Sequence, residues 1–222
     1  MSVRRLTLGD ALSLVPANRI ERPASLAASM MRVRALGIGR MVMALDRLNK
    51  SVNRPLPNSY WVISGRLLAG EYPIGADYTD ARARLAVFRE AGVNHFIDLT
   101  EPGEMPLYRH LLPVHTKYLS SPIADTGLPR SIAQTLSLLA DIGAALDSKR
   151  RIYLHCRAGI GRTGLIVGCY LADQSGDGNA AVKELNRLWL QSERAKSWPA
   201  VPQTEEQADY IRRWPKLKAG SA

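Results

Sequence analysis

Cys156 and Arg162 are separated by five residues in the run His155-Cys156-Arg157-Ala158-Gly159-Ile160-Gly161-Arg162-Thr163-Gly164. A cysteine thiolate is a strong nucleophile, and a guanidinium is a planar fork that can hold two oxygens of one phosphate, which a lysine cannot do. The glycines let the backbone curl so that successive N–H groups face one point and form an anion-binding nest. A helix starting behind the loop adds the positive end of its dipole at the same place, an environment that favours the thiolate. Arg157, Ala158, Gly159, Ile160, Gly161 and Arg162 are therefore the expected phosphate cradle. A nucleophile in such a cradle points to covalent cleavage of a phosphate ester.

The elements that must hold this loop flank it. Arg151-Ile152-Tyr153-Leu154 is a short apolar β-type run, and Leu165-Ile166-Val167-Gly168-Cys169-Tyr170-Leu171 is helix-like, so the nucleophile ends a strand and the loop opens a helix. In that setting HCRAGIGRTG resembles the His-Cys-five-residues-Arg-Ser/Thr signature of the cysteine-dependent protein-tyrosine and dual-specificity phosphatases. A nucleoside-triphosphate loop is excluded, because no Gly-Lys-Ser/Thr ending is present. An inert glycine turn around a buried cysteine is the bland alternative, but it has no use for Arg162 beside a thiol.

A leaving alkoxide or phenoxide needs a proton, so a carboxylic acid must reach the ester oxygen. Asp125 lies in Ser121-Pro122-Ile123-Ala124-Asp125-Thr126-Gly127-Leu128-Pro129, a Pro/Gly-bounded loop after a strand and about thirty residues before Cys156. The resemblance implies that a mobile loop so placed carries the general acid. Asp125 could instead cap the next helix, a role that Ser131 fills better. His155 precedes the nucleophile on a strand, so its side chain points to the opposite face, where it is expected to brace the loop backbone rather than act as a base. Thr163 is expected to place its hydroxyl near the sulfur and stabilise it as a leaving group. Gln203 aligns, by resemblance, with the residue that positions the hydrolytic water, and Gln207 lies one turn further. Thr204…Gln207 is equally a plain capping box.

Composition agrees with a modest α/β enzyme. The chain has 222 residues, 46% of them hydrophobic, enough for one cored domain plus an appendage. Two cysteines make no disulfide scaffold, and a catalytic thiolate needs a reducing compartment. With no apolar leader after Met1 and no apolar stretch near the ~20 residues that span a bilayer, a cytoplasmic protein is expected. The net charge is +10, yet residues 1–57 hold ten Lys/Arg against three Asp/Glu. The excess lies away from the chemistry, which argues against nucleic acid as partner.

Residues 1–57 are read as a basic arm. Leu26, Met30, Val33, Gly37, Met41, Ala44, Leu45 and Leu48 make one face of an amphipathic helix over 24–50, which either packs on its own domain or lies on an anionic surface. Arg54-Pro55-Leu56-Pro57-Asn58 marks the boundary. Beyond it, strand signals at Trp61–Ile63, Arg66–Ala69, Val93–Leu99, Lys117–Ser120 and Ile152–Cys156 alternate with helix signals at Thr79–Ala91, Ser131–Leu146, Asn179–Leu190 and Thr204–Trp214. The fold expected is α/β, a central, twisted, mostly parallel sheet flanked by helices, with a catalytic domain over 58–216 and a short tail over 217–222. The resemblance to the compact phosphatase fold extends over most of residues 58–215.

Other candidates carry less. Cys169 lies seven residues inside the helix, a rise of about 10 Å, too far for a disulfide with Cys156 and better read as a core thiol. His95, His110 and His115 have no ligand spacing, so neither metal nor cofactor is expected. Glu101-Pro102-Gly103-Glu104…Tyr108-Arg109 forms a loop read either as substrate-recognising or as merely solvated. Among the variable loop positions Arg157, Ala158, Ile160 and Gly161 only one is basic, whereas relatives acting on inositol lipids carry more. The expected partner is therefore a phosphorylated protein, phosphotyrosine favoured, or a small phosphoester. Hydrolysis of inositol phosphates or lipids by the same chemistry is the alternative, and a non-catalytic phosphate-binding module a further one.

Overall fold

The computed structural model describes residues 54–221, so the helix expected over 24–50 lies outside the described residues. Ser59–Ile63 (β1) and Leu67–Gly70 (β2) form an antiparallel hairpin that turns at Gly65, whose φ is +65°. His95–Asp98 (β3), Lys117–Ser120 (β4) and Ile152–His155 (β5) complete a five-stranded sheet in the order β1-β2-β5-β3-β4. β2, β5, β3 and β4 are parallel. In register Gly70 and Asp98 both pair with His155, and Asp98 with Ser120, so the four parallel strands end level with one another. Ligands of open α/β sheets bind just outside such carboxyl ends. Cys156 follows the central strand directly onto that edge.

β5 is buried on both faces, as a central parallel strand must be. Its side chains alternate with period two. Ile152, Leu154 and Cys156 enter one core, while Tyr153 joins the other and stacks on His155. The second core is closed by Ala81–Glu90 (α1) through Ala81, Leu85 and Phe88. The first lies under Ile132–Asp147 (α2), Gly161–Ser175 (α3), Gly178–Trp189 (α4) and Glu205–Ala219 (α5). α3 buries Leu165, Ile166, Val167, Cys169 and Ala172, which is why its sequence is apolar all round rather than striped.

Two bounds of the catalytic domain differ from the sequence reading. Leu56 already packs in the core, ahead of a domain start at Asn58. α5 does not stop at Trp214 but runs through Pro215 to Ala219, into the segment read as a tail. Leu217 packs on the core there, and that burial offsets the single backbone bond that Pro215 cannot make. At the start of α2, Ser131 Oγ accepts from Gln134 N at 3.2 Å, but Gln134 Oε1 accepts from Arg130 N at 2.8 Å. Ser131 thus caps α2, and the Gln134 side chain reaches back to the residue before it.

Candidate active site

The phosphate loop is shaped by where its carbonyls go. Arg157 O accepts from Tyr72 N at 3.0 Å, Ala158 O from Arg194 Nη1 at 2.5 Å, and Cys156 O faces His155 Nδ1 at 3.4 Å. A trans peptide places each C=O opposite the next N–H. Tying these three carbonyls outward therefore turns the N–H groups of Arg157, Ala158 and Gly159 inward, around Cys156. The residue Cys156 is buried and lines a cavity of about 180 Å³ together with Asp125, Arg157, Ala158, Ile160, Gly161, Arg162, Trp198 and Gln203.

Arg162 is buried at the loop's end, and its five N–H groups are divided between partners. Glu104 takes the end of the fork, both oxygens at 2.6 Å from Nη1 and Nη2. Ile123 O accepts from Nη1 at 3.1 Å, and Asp125 Oδ1 lies 3.0 Å from Nη2. Nε alone has no partner among the described residues, so a phosphate taking the side edge, Nε with Nη2, displaces Asp125 from Nη2. Burial alone would lower the Arg162 pKa, but the Glu104 hydrogen bond and the charges of Cys156, Glu104 and Asp125 outweigh it and raise the pKa. Desolvation acts to raise the Glu104 carboxyl, and the Arg162 fork holds it below its usual range instead. The loop read as substrate-recognising or solvated thus sends Glu104 inward to aim the guanidinium. No sequence signal marked Glu104 among the loop's carboxylates, because its partner lies 58 residues away.

His155 faces away from Cys156, and burial pushes its pKa down, so the ring is neutral. Nδ1 faces two acceptors, Cys156 O and Asp98 Oδ1, the latter at 3.9 Å. It therefore carries the proton, and Nε2 accepts from the Tyr108 hydroxyl at 2.6 Å. Tyr108 was not singled out from the sequence, although an aromatic in a polar loop is a signal for burial. Asp98 is structural, held by Thr100 and Tyr118.

Thr163 is buried at the start of α3. Its hydroxyl donates to Gly70 O at 3.4 Å, stitching α3 to the end of β2. Gln203 reaches the cavity, with Oε1 2.9 Å from where a Cβ on Gly161 would stand. Gln207 is engaged in the capping box, and its Nε2 also donates to Gly127 O at 3.0 Å, tying α5 to the Asp125 loop. Trp198, 39% exposed, forms part of the cavity rim and was missed in the sequence, where it reads as one more loop residue. Cys169 is a core thiol whose pKa burial pushes up. Among the described residues no three His, Cys, Asp or Glu side chains gather to hold a metal.

Gly159 carries the tightest backbone approach at the site. Its φ is +76°, and a Cβ there would lie 2.5 Å from Gly70 C, an overlap that no side-chain rotation relieves. Gly159→Ala should lower stability by about 2–4 kcal/mol, combining left-handed strain with overpacking, and weaken vanadate inhibition. Gly65→Ala, with φ +65° but nothing within 4 Å, should cost only about 1–2 kcal/mol. Urea melts of the two variants check the contrast.

This fold, with a thiol, an arginine and an aspartate around one phosphate-sized cavity at the sheet's carboxyl edge, defines a cysteine-dependent phosphatase domain. Residues 56–207 match the family described as PTP-SAK, Swiss Army Knife protein, DSP-PTPase phosphatase domain, and the chain belongs to that family. A protein named "Putative tyrosine phosphatase 067L", from Invertebrate iridescent virus 3, is 40% identical over 87 residues, covering 37% of this chain and 35% of the relative. "Putative tyrosine phosphatase 197R", from Invertebrate iridescent virus 6, is 28% identical over 120 residues, covering 53% and 42%. The chain thus spans well under half the length of these curated relatives. Among solved structures, Tk-PTP in its active form superposes with a TM-score of 0.58 at 23% identity, covering 72% of this chain and 97% of its own. Kinase associated phosphatase gives 0.55 at 23% identity, covering 69% and 88%. These two confirm the α/β fold.

Proposed function

We propose that this protein is a protein-tyrosine/dual-specificity phosphatase working through a phosphocysteine intermediate, with phosphotyrosine preferred. The observation that carries this reading is the gathering of Cys156, Arg162 and Asp125 on one cavity. The phosphate dianion binds the loop amides and the side edge of Arg162. Cys156 Sγ attacks phosphorus as the P–O ester bond breaks, and the leaving oxygen takes a proton from Asp125. Water, held by Gln203 and deprotonated by the Asp125 carboxylate, then attacks the phosphocysteine, releasing phosphate and the thiolate. His155, neutral and turned away, braces the loop and moves no proton.

Trp198 supports the preference for an aryl ester, because an exposed indole at a cavity mouth offers its face to a phenol ring and little to a serine phosphate. Two free cysteines fit work in a reducing compartment such as the cytoplasm. A panel of phosphotyrosine, phosphoserine and phosphothreonine peptides with inositol phosphates is the test. The phosphotyrosine peptide should turn over fastest, with inhibition by orthovanadate and none by chelators. Faster turnover of an inositol phosphate, or no turnover at all, overturns the proposal.

A further inference from the structure

The amino edge of the sheet, at the opposite end of the strands from the catalytic cavity, gathers cations that no acid pairs. Leu67, Ile152, His95 and Lys117 begin the four parallel strands level with one another. Asn94, just ahead of β3, is where three segments meet. Its carbonyl accepts from Lys117 N at 2.9 Å and from Arg150 Nη1 at 3.5 Å, and its Oδ1 accepts from Arg151 N at 3.0 Å. Arg151 Nη1 donates to Ala91 O at 2.7 Å, so its guanidinium lies over the end of α1. Arg82 and Arg89 of α1 line a small cavity with Leu112, Pro113 and Thr116 of the turn that leads into β4. Among the described residues, Arg82, Arg89, Lys117, Lys149, Arg150 and Arg151 make no ion pair. Segments 89–95, 113–117 and 147–151 hold five Lys/Arg against two acids, Glu90 and Asp147. Beside these cations stands an apolar tip. Thr116 N donates to Pro113 O at 2.9 Å, closing a turn that carries Val114 and His115 outward, and Val114 is 95% exposed.

We propose that this edge docks on an anionic lipid bilayer, with Val114 entering the headgroup layer and the surrounding cations meeting lipid phosphates and carboxylates. The docking goes beyond the phosphatase reading and does not rest on it. Charge complementarity supplies most of the attraction, since each Lys or Arg held near an anionic leaflet contributes about fivefold in binding. The valine adds a smaller, non-ionic part by leaving water. A folded acidic protein would meet the charges and gain little from an apolar turn tip, whereas the headgroup layer accepts both. The geometry also says where the cavity goes. Cys156 lies four residues beyond Ile152 along β5, roughly 13 Å from the docking edge, and on the far end of the sheet. A bilayer held at the amino edge therefore leaves the catalytic cavity turned away from it, so headgroups of the docked leaflet do not reach Cys156. Phosphorylated protein segments standing off the membrane surface do.

The test is co-sedimentation of the full chain with phosphatidylcholine vesicles, with and without phosphatidylserine. Binding should require phosphatidylserine and weaken as salt is raised. Lys117 and Lys149 are exposed and make no side-chain hydrogen bond among the described residues, so they can be reversed without disturbing the fold. Lys117→Glu with Lys149→Glu should weaken binding by about 25-fold or more, the product of two lost cations. Val114→Ser should weaken it about fivefold, and Val114→Leu should strengthen it. All three variants should keep the melting temperature and the turnover of an aryl phosphate. Residues 1–57, with ten Lys/Arg against three Asp/Glu, are the same in every variant. Unchanged vesicle binding by the lysine variant would assign the binding to that segment and overturn the proposal, as would no binding to phosphatidylserine vesicles. Tight binding to polyglutamate that the lysine variant loses, with Val114→Ser silent on vesicles, would identify an acidic protein as the occupant and overturn the bilayer. Vesicle binding is scored apart from turnover, so failure of the phosphatase reading and failure of the docking are distinguishable.

Discussion

Cys156→Ser should abolish turnover of any phosphate ester while leaving phosphopeptide binding within a few-fold of the unsubstituted protein. The two halves follow from different atoms. Bond making needs Sγ, and a serine hydroxyl does not ionise near neutral pH, so the rate should fall by on the order of 10⁵–10⁶, the scale of losing a catalytic nucleophile. Binding depends on the inward N–H groups of Arg157, Ala158 and Gly159 and on the side edge of Arg162, none of which uses sulfur. The carbonyl ties from Tyr72, Arg194 and His155 that fix those N–H groups are also untouched. Steady-state assay on an aryl phosphate and calorimetry with a phosphotyrosine peptide give the two readouts. Sustained turnover by the serine variant would remove the phosphocysteine from the mechanism.

The site was legible in the sequence wherever its chemistry is local. Cys156, the cradle and Arg162 fall within one loop, and the strand before it and helix after it are marked by their own periodicity. Partners that meet the loop through the fold were not legible. Glu104, which aims Arg162, and Tyr108, which donates to His155 Nε2, stand 58 and 47 residues from their partners. Thr163 shows the same limit from the other side. Its hydroxyl finds Gly70 O, at the end of a strand 93 residues earlier in the chain. Counting basic residues within the loop gave only Arg157 beside Arg162, whereas the fold delivers Arg84 and Arg194 to a cavity that Arg157 also lines. Local chemistry is written in order along the chain, and its orientation is set by residues brought in from elsewhere.

Asp125→Asn should slow phenyl and alkyl phosphates by about 10²–10⁴-fold and barely affect a nitrophenyl ester, because general-acid catalysis matters only where the leaving group is poor. The placement supports this division. Asp125 lies on the rim of the cavity, half exposed, with Oδ1 3.0 Å from the Nη2 of Arg162 that faces the phosphate edge. A phosphate that takes this edge competes for the donor and leaves the carboxyl beside the ester oxygen. The loop itself is held from behind, by Gln207 Nε2 on Gly127 O and by Gln134 Nε2 on Pro122 O at 3.0 Å, so the amide variant should keep the loop in place. A side chain that only stabilised the loop would slow every substrate alike and lower the melting temperature. A plot of log kcat/KM against leaving-group pKa separates the two, since loss of the acid steepens its slope. Parallel plots for the unsubstituted protein and the amide variant would show that the proton comes from another group.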